Sequence, residues 1–410
     1  MNNRFLHRVA RVFFGTLGAQ GIMLLSTLLL ARLYSPAEMG LFNVWFAFLT
    51  VGAVMVTARY ELAFFALKSD DESPALGRLI VYMSALLSLV LTVGLATAAF
   101  TTAWLPAGIA PFILPLGIAV FVASLNTSLL SLLALQQRFT MLGMSRVGFA
   151  ASVALLQILG GVLALGAAGL IYGQLLGSLL AVALIIACVD RRWLQAAWST
   201  PRATLARVRN AYRSFPIYSL PADLVNNVAR QLPMLMVAAR FGNEAGGWYG
   251  LTLKIMGAPI SLLATSILDV FKEQAARDYR TKGNCLQIYK KTLLSLALVA
   301  LPPFIILYFV GEFLFATLFG PQWQQSGKYA VLMIPMFYTG FVASPLSYTI
   351  YIAQKQKYDL IWQCTLLLIS IAVFGLAADA ETAIRWFSLL YAGMYCIYLF
   401  MSYYFARGAK

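Results

Sequence analysis

The stretch Ala31–Phe42, ARLYSPAEMGLF, is a short polar break between two long apolar runs, and a similar break, ARFGNEAGGWYG, occurs at Ala239–Gly250. Each break has an arginine at its front, Arg32 or Arg240, and glycine at its back. Their separation is roughly half the chain, as expected of an internal duplication. We interpret both breaks as tight turns in which Pro36 and the glycines provide the backbone geometry. The arginines are expected to anchor the ends of the preceding helices rather than to guard a channel mouth.

The composition indicates a membrane protein. Hydrophobic residues make up 61% of the 410-residue chain, charged residues only 11%, and the mean hydropathy is +0.80. A soluble domain has about 25% charged residues. Apolar runs of about 20 residues, long enough to cross a bilayer as helices, recur along the chain. The first run, 13–33, is longer than the apolar part of a cleavable signal, so we expect it to be retained.

Twelve apolar segments can be assigned. They are 13–33, 40–58, 79–100, 111–133, 147–167, 170–189, 216–238, 247–268, 292–311, 330–352, 360–377 and 384–404. A second echo, FVAS at Phe121–Ser124 and Phe341–Ser344, lies in the fourth segment of each half. Because six is an even number, both halves enter the membrane in the same orientation. The prediction is an all-α integral membrane protein with about 12 transmembrane helices, in two parallel six-helix bundles around a central cavity.

The domain boundaries follow from the same segments. Residues 1–190 are predicted to form the N-terminal bundle, 191–213 a cytoplasmic linker and 214–410 the C-terminal bundle.

The cationic residues support this topology. Of the 30 lysines and arginines, most fall in the predicted inner loops or tails. Two lie inside segments, Arg230 and Lys254. The predicted outer loops hold only four, Arg32, Arg240, Lys328 and Arg385. Lysine and arginine concentrate on the cytoplasmic side of membrane proteins, so both termini are predicted to be cytoplasmic. The net charge of +15 is then a signal of topology and of contact with anionic lipid, not of nucleic-acid binding.

The sequence gives no indication of an enzyme. Its only histidine, His7, lies in the N-terminal tail, which argues against histidine acid–base chemistry and most zinc sites. The four cysteines have no metal-site or disulfide spacing, and no nucleotide-binding G-x-x-x-x-G-K-[ST] motif is present. We therefore expect no cofactor and no metal, and transport driven by a gradient, by membrane potential or by use of the product.

Five stretches resemble one family of bacterial polysaccharide transporters, the Wzx-type O-antigen flippases. They are ARLYSPAEMGLFNVWFAF (31–48), ARYELAFFALKSDDE (58–72), SFPIYSLPADLVNNVARQLPMLMVAARFG (214–242), GWYGLTLKIMGAPISLL (247–263) and LFGPQWQQSGKYA (318–330). The resemblance covers essentially the whole chain and extends to the superfamily that includes lipid II flippases and MATE exporters. It implies translocation of an undecaprenyl-pyrophosphate-linked oligosaccharide, an O-antigen (lipopolysaccharide) or exopolysaccharide repeat unit, across the bacterial inner membrane. Membrane lipids and other polysaccharide assembly proteins are the implied partners.

Three alternatives stay open at this point. A MATE-like, gradient-driven exporter of small cationic compounds would have the same fold, but would favour buried carboxylates over cations. A lipid II flippase is expected to have additional helices. A polymerase or ligase would carry a large outer loop, whereas the longest outer stretches here are short.

The main candidate site lies on segment seven. Asp223, Asn226, Asn227 and Arg230 are spaced i, i+3, i+4 and i+7, which places them on one helix face. Pro216, Pro221 and Pro233 in the same segment are expected to bend it. Ionisable groups at membrane depth usually face a partner or a water-filled cavity. The stripe thus predicts a cavity lined for sugar hydroxyls and phosphate; the alternative is an Asp223–Arg230 pair that holds two helices together.

Two other segments add candidates. Lys254 on segment eight either joins Arg230 in a cationic zone for the pyrophosphate or extends to the outer headgroups. With no cation inside a segment of the first half, this predicts an asymmetric site. Gln20 lies with Thr16 and Thr27 on one face of segment one, which the family resemblance places at the cavity; threonines bonding to their own helix are the alternative.

Arg59 and Glu61 follow segment two. Because i, i+2 residues do not share a helix face, each is expected to find a partner elsewhere. A structural interface and an inner gate or first phosphate contact both remain possible for Arg59.

Overall fold

The computed structural model describes the backbone of residues 3–69, 72–101 and 108–408. Its side chains are described from Phe13 onward, except at 100, 259, 261–266, 269 and 356 within those ranges, so His7 lies outside the described side chains. The described residues form helices and no β-strand. Two compact units make up the chain, Met1–Gln231 and Leu232–Lys410. The predicted division at 190 and 214, which concerns membrane topology, stays a prediction.

The first unit holds six long helices, two short ones and the start of a ninth. The helices are α1 (Asn3–Leu33), α2 (Pro36–Val56), α3 (Ser73–Thr101), α4 (Ile113–Leu135), α5 (Phe139–Val162), α6 (Ala167–Cys188), α7 (Arg191–Ser199), α8 (Arg202–Ala211) and α9 (Leu220–Lys282). A 3₁₀-helix, Tyr60–Ala66, follows α2, and a π-helical turn, Phe215–Ser219, precedes α9.

The turn between α1 and α2 has the geometry expected of its sequence. The Ser35 hydroxyl accepts a hydrogen bond from the Glu38 amide and the Glu38 carboxylate accepts one from the Ser35 amide, a capping box. Pro36 is the first residue of α2, where its missing N–H costs nothing. Gly40, by contrast, lies inside α2 and is not needed for the turn.

Small residues allow α5 and α6 to pack closely. A Cβ added to Gly160 would lie 2.7 Å from the Gly169 Cα, and one added to Gly177 would lie 2.6 Å from the Val153 Cα. Both distances are shorter than a van der Waals contact, so only glycine fits at positions 160 and 177. Such backbone approach is the usual means of association between membrane helices.

The predicted cytoplasmic linker is helical. The α7 and α8 helices pack against α3, and the Arg78 guanidinium of α3 donates to the Trp198 and Thr200 carbonyls at 2.8 and 2.6 Å. These carbonyls lie at the end of α7, where a cation compensates the helix dipole.

The second unit is built from the rest of α9 and six further helices. They are α10 (Leu286–Phe319), α11 (Gln324–Leu332), α12 (Ile334–Leu346), α13 (Tyr348–Ile352), α14 (Gln356–Leu376) and α15 (Ala380–Ala406), with a 3₁₀ turn, Pro321–Trp323, before α11. Predicted segment ten is thus divided into three short helices rather than formed by one continuous helix. The predicted turn at Ala239–Gly250 is also shorter than expected, because only Gly242 leaves helical geometry, at φ 89°.

Nine helices in the described ranges are long and apolar enough to cross a membrane. The pair Pro321–Leu332 and Ile334–Ile352, bent by 54°, makes a tenth if the two helices form one broken span. The α9 helix, which contains predicted segments seven and eight on either side of Gly242, is not among them. Its first arm carries the polar residues of the candidate site. Predicted segments five and six, which only LGAAGLIYG separates, are confirmed as the distinct helices α5 and α6.

Cysteine labelling tests the predicted orientation. Cys188 is exposed at the end of α6, on the predicted cytoplasmic side, so a membrane-impermeant maleimide is expected to label it in inverted vesicles and not in right-side-out ones. Cys285 is the control. It is buried just before α10, and burial raises the pKa of its thiol to about 11, so it stays protonated and unreactive at neutral pH. Labelling of Cys188 in right-side-out vesicles would reverse the predicted topology.

Candidate functional site

The polar stripe predicted on segment seven lies on the first arm of α9, within the first unit. Asn226 and Arg230 are exposed, whereas Asp223 and Asn227 are half-buried. The Asn227 side-chain amide donates to the Asp223 carbonyl at 2.8 Å, one turn back along the same helix. The stripe therefore presents one amide and one guanidinium outward from this unit.

Irregular backbone precedes the stripe. Pro216 lies in the π-helical turn Phe215–Ser219, as expected if proline disturbs this segment. Single π turns are frequent at functional positions in helices. Gln231 directly follows Arg230 at the end of the stripe, and its side-chain amide donates to the Thr50 hydroxyl of α2 at 3.0 Å. This hydrogen bond fixes the first arm of α9 against α2.

Asp223 is paired, but not with Arg230. The Arg59 Nε donates to the Asp223 Oδ2 at 2.7 Å, so the predicted alternative of an Asp223–Arg230 pair is wrong. The carboxylate side chain is 37% exposed and the Arg59 side chain 20%. Asp223 is therefore part of a charge cluster at the end of α2, while Arg230 is outside it.

Arg59 also pairs with Glu61, which corrects the expectation that i, i+2 residues cannot meet. The Arg59 Nη1 lies 2.9 Å from the Glu61 Oε1. The expectation assumed a continuous helix, but α2 ends at Val56 and both Ala58 (φ 48°) and Arg59 (φ 61°) adopt left-handed backbone. Two such non-glycine residues in succession are unusual and hold local strain. This turn brings the arginine back over the glutamate.

Glu61 is a buried carboxylate with an incomplete set of partners. Its side chain is 2% exposed, and its Oε2 is buried without a hydrogen-bond partner. Burial opposes the charge of Arg59, but the hydrogen bonds that Arg59 donates to Asp223 and Glu61, together with the charges of these carboxylates, outweigh burial and raise the pKa of Arg59 above its ordinary value. We call Arg59, Glu61 and Asp223 the charge cluster.

The 3₁₀-helix that carries Glu61 is held by tyrosines. The Tyr60 hydroxyl donates to the Arg209 carbonyl of α8 at 3.3 Å, and Tyr212 donates to the Glu72 carboxylate at 2.6 Å. The charge cluster is thereby connected to the helical linker inside the first unit.

On α1, the three predicted residues have different environments. The Thr27 hydroxyl is buried and donates to the Met23 carbonyl at 2.6 Å, so the alternative of bonding within its own helix is confirmed there. The Gln20 Oε1 is buried without a hydrogen-bond partner. The Thr16 hydroxyl accepts a hydrogen bond from Arg146 of α5.

Arg146 is the residue that the sequence analysis missed. Assigned to an inner loop, it lies two turns inside α5, half-buried against α1. The helix α5 therefore begins before predicted segment five and includes this cation, whereas the expectation that no cation lies inside a membrane segment of the first half stays a prediction. The sequence does contain a signal that the helix includes Arg146. From Phe139, where α5 begins, Leu142, Gly143 and Arg146 follow at i+3, i+4 and i+7, the spacing of one helix face.

The second unit holds Lys254 and the outer anchor Arg240. Lys254 is exposed on the second arm of α9. Arg240 donates to the carbonyls of Phe374 and Gly375 at the end of α14, which confirms its predicted anchoring role. A cation at a helix C-terminus also compensates the helix dipole.

The described residues hold no cluster of histidine, cysteine and acidic side chains that could bind a metal. The available chemistry is hydrogen bonding by Asn226, ion pairing by the exposed Arg230 guanidinium, and the charge cluster. These groups can bind and orient a polar, anionic molecule.

Comparison with known proteins identifies the family and the fold of the chain. Residues 29–328 match the sequence model of a family described as "Polysaccharide biosynthesis protein". No curated protein matches the sequence. Among solved structures, the lipid II flippase MurJ in an inward closed conformation aligns with TM-score 0.70 and 14% identity, over 97% of this chain and 87% of MurJ.

Two transporters of another kind align as well. An inward-facing multidrug resistance MATE transporter of the MOP superfamily has TM-score 0.59 and 14% identity, covering 94% of this chain and 93% of that one. A Vibrio cholerae MATE transporter has TM-score 0.59 and 12% identity, covering 97% and 95%. At these identities the likeness shows the fold alone, and it confirms the predicted all-α architecture.

Proposed function

Because the chain belongs to the polysaccharide biosynthesis protein family, we propose that it is a flippase that moves an undecaprenyl-pyrophosphate-linked oligosaccharide, an O-antigen or exopolysaccharide repeat unit, across the bacterial inner membrane. Transport proceeds by alternating access without catalysis. MurJ, whose fold the chain shares, is described as a flippase of another lipid-linked molecule, lipid II. The family and this likeness support the substrate class, lipid-linked glycans.

The observation that carries the proposal is the exposed Arg230 on the first arm of α9, a segment that the sequence predicts to lie within the membrane. A guanidinium at such a position is costly unless water or an anionic ligand reaches it. Its planar set of donors matches the oxygens of a phosphate, and Asn226 beside it can exchange hydrogen bonds with sugar hydroxyls. Asp223 does not neutralise Arg230, because Asp223 is held by Arg59.

The remaining candidates have supporting roles in the proposal. Lys254 adds a second cation for the pyrophosphate, Asn227 completes the polar stripe and Gln20 adds a polar side chain on α1. Arg59 acts indirectly: it keeps Asp223 occupied and so leaves the charge of the site positive.

A reconstituted system tests the proposal. Purified protein in proteoliposomes, supplied with polyprenyl-pyrophosphate-linked oligosaccharide extracted from the native cell, is expected to expose the glycan to a lectin or glycosidase added outside. Ethidium uptake in the same vesicles tests the alternative exporter of small cations. Ethidium transport without glycan translocation would refute the flippase and favour the exporter.

A further inference from the structure

A polar cavity lies in the second unit, between the second arm of α9, the end of α10 and the start of α11. Its volume is about 550 Å³, and its walls include Glu244, Trp248, Glu312, Gln324, Gln325 and Lys328. Predicted topology places these residues on the outer side of the membrane, at the opposite end from the charge cluster's predicted position. None of them belongs to the candidate site described above.

Trp248 gives the cavity an apolar wall. Its indole N–H is already used, because it donates to the Gln322 carbonyl at 2.9 Å, and an edge-on contact with Tyr329 at 6.3 Å holds the ring in place. What the indole can offer a ligand is therefore ring surface rather than a hydrogen bond. A fixed aromatic surface suits the apolar C–H face of a pyranose.

The amide side chains complement that wall. Gln324 and Gln325 each have a carbonyl oxygen and an NH₂ group, so they can both donate to and accept from sugar hydroxyls. Gln325 is fixed by donating to the Glu381 carboxylate at 2.8 Å. Gln324 is exposed, and its 3.4 Å contact with Glu312 is long, so it can exchange this partner for a ligand at little cost.

The charges of the cavity select against anions. Glu244 and Glu312 are exposed carboxylates, whereas the cation of Lys328 is engaged by Glu381 at 2.7 Å. An acidic sugar or a pyrophosphate would meet two like charges here, and a neutral or amino sugar would not.

A second cavity, of about 490 Å³, shares Glu312 and Gln324 with the first. Its other walls are apolar and include Tyr308, Phe309 and Phe313, all exposed aromatic residues of α10. Aromatic side chains exposed at the end of a membrane helix are typical of the membrane–water interface. The polar cavity therefore lies beside lipid, within reach of a sugar whose carrier remains in the bilayer.

We propose that the cavity lined by Trp248, Gln324, Gln325 and Glu312 is a saccharide-binding site that takes neutral or amino sugar residues of the glycan and excludes the pyrophosphate. The inference rests on the proposed function for the identity of its ligand as the transported glycan. This site binds the sugar residues on the outer side of the membrane, whereas the phosphate is bound at Arg230. The two parts of the substrate are thus recognised at different sites.

Binding in phospholipid nanodiscs tests the site without transport; sugar-based detergents must be absent, because their headgroups would compete. Saturation-transfer NMR is recorded with N,N′-diacetylchitobiose, glucosamine and glucuronic acid. The first two are expected to bind and glucuronic acid to bind at least about tenfold more weakly. Trp248→Ala should weaken chitobiose binding about tenfold, and Glu312→Gln should reduce the discrimination against glucuronic acid.

Glu273→Gln is the matched control, since it also removes an exposed carboxylate from the second arm of α9 but lies outside the cavity. If Trp248→Ala does not fold, Gln324→Leu replaces it, because Gln324 is exposed. Equal chitobiose binding by wild type and the folded cavity variant would overturn the inference, as would undiminished binding of glucuronic acid. Saccharide binding without glycan translocation in proteoliposomes would refute the proposed function and leave the site standing.

Discussion

Replacing Arg59 with alanine is expected to lower the free energy of unfolding by about 3–5 kcal/mol, the cost of leaving a buried carboxylate without its partner. Glu61 is almost fully buried, one of its oxygens already has no partner, and Arg59 satisfies the other. Arg59→Ala also frees Asp223. The measurement is denaturant- or heat-induced unfolding of the purified protein in a mild detergent.

A double variant distinguishes the effect of losing the Arg59–Glu61 ion pair from the effect of losing the Arg59 side chain. Arg59→Ala with Glu61→Gln should recover most of the stability, because the buried charge is then removed as well. Lys282→Ala is the control: its pair with Asp278 is 3.1 Å long, but the lysine side chain is 58% exposed, so a loss below about 1 kcal/mol is expected. An Arg59→Ala variant no less stable than Lys282→Ala would show that the charge cluster does not stabilise the fold.

Replacing Arg230 with glutamate is expected to abolish glycan translocation. A charge-assisted hydrogen bond to phosphate contributes about 1.5–3 kcal/mol, and a carboxylate in the same place adds repulsion, so a reduction of more than tenfold is expected. Arg230→Lys should retain much of the activity and Arg230→Ala should lie between the two. The assay is lectin access to the lipid-linked glycan in proteoliposomes, with accumulation of that glycan in cells as a second readout.

Arg277→Glu provides the matched charge reversal, because Arg277 is an exposed arginine on the other arm of the same helix. It should leave translocation unchanged. Normal transport by Arg230→Glu would exclude a phosphate contact at this position, and equal loss in both charge reversals would point to a general effect of charge instead.

The sequence was informative wherever local physical rules act. Apolar run length located the long helices, and the Ser35–Glu38 spacing is sufficient to recognise a capping box. The i, i+3, i+4, i+7 pattern correctly put the stripe from Asp223 to Arg230 on one face of α9. These features depend only on residues within one or two helical turns.

The charge cluster could not be predicted because it depends on long-range contacts and unusual backbone. Nothing in the sequence indicates that Ala58 and Arg59, neither of them glycine, adopt left-handed geometry. The partner of Arg59 is Asp223, 164 residues away. Pairing rules for a regular helix therefore gave the wrong answer for Glu61.

Arg146 shows a different limit. Its helix, α5, begins at Phe139, eight residues before predicted segment five. The predicted segment began too late because charged residues near a helix end resemble a loop in composition. The first unit consequently has a cation of its own beside Thr16. The predicted asymmetry concerns cations inside membrane segments and stays a prediction, so Arg230 is judged on its own exposure.

The glycine interface of α5 and α6 limits how the first unit can change shape. Val153 lies against Gly177 and Gln157 against Gly173, so any slide along this interface must first lift these side chains over the residues between the glycines. Packed helices of this kind do not deform gradually. We therefore expect α5 and α6 to move as a single rigid body in the proposed transport cycle, with the hinges elsewhere in the first unit.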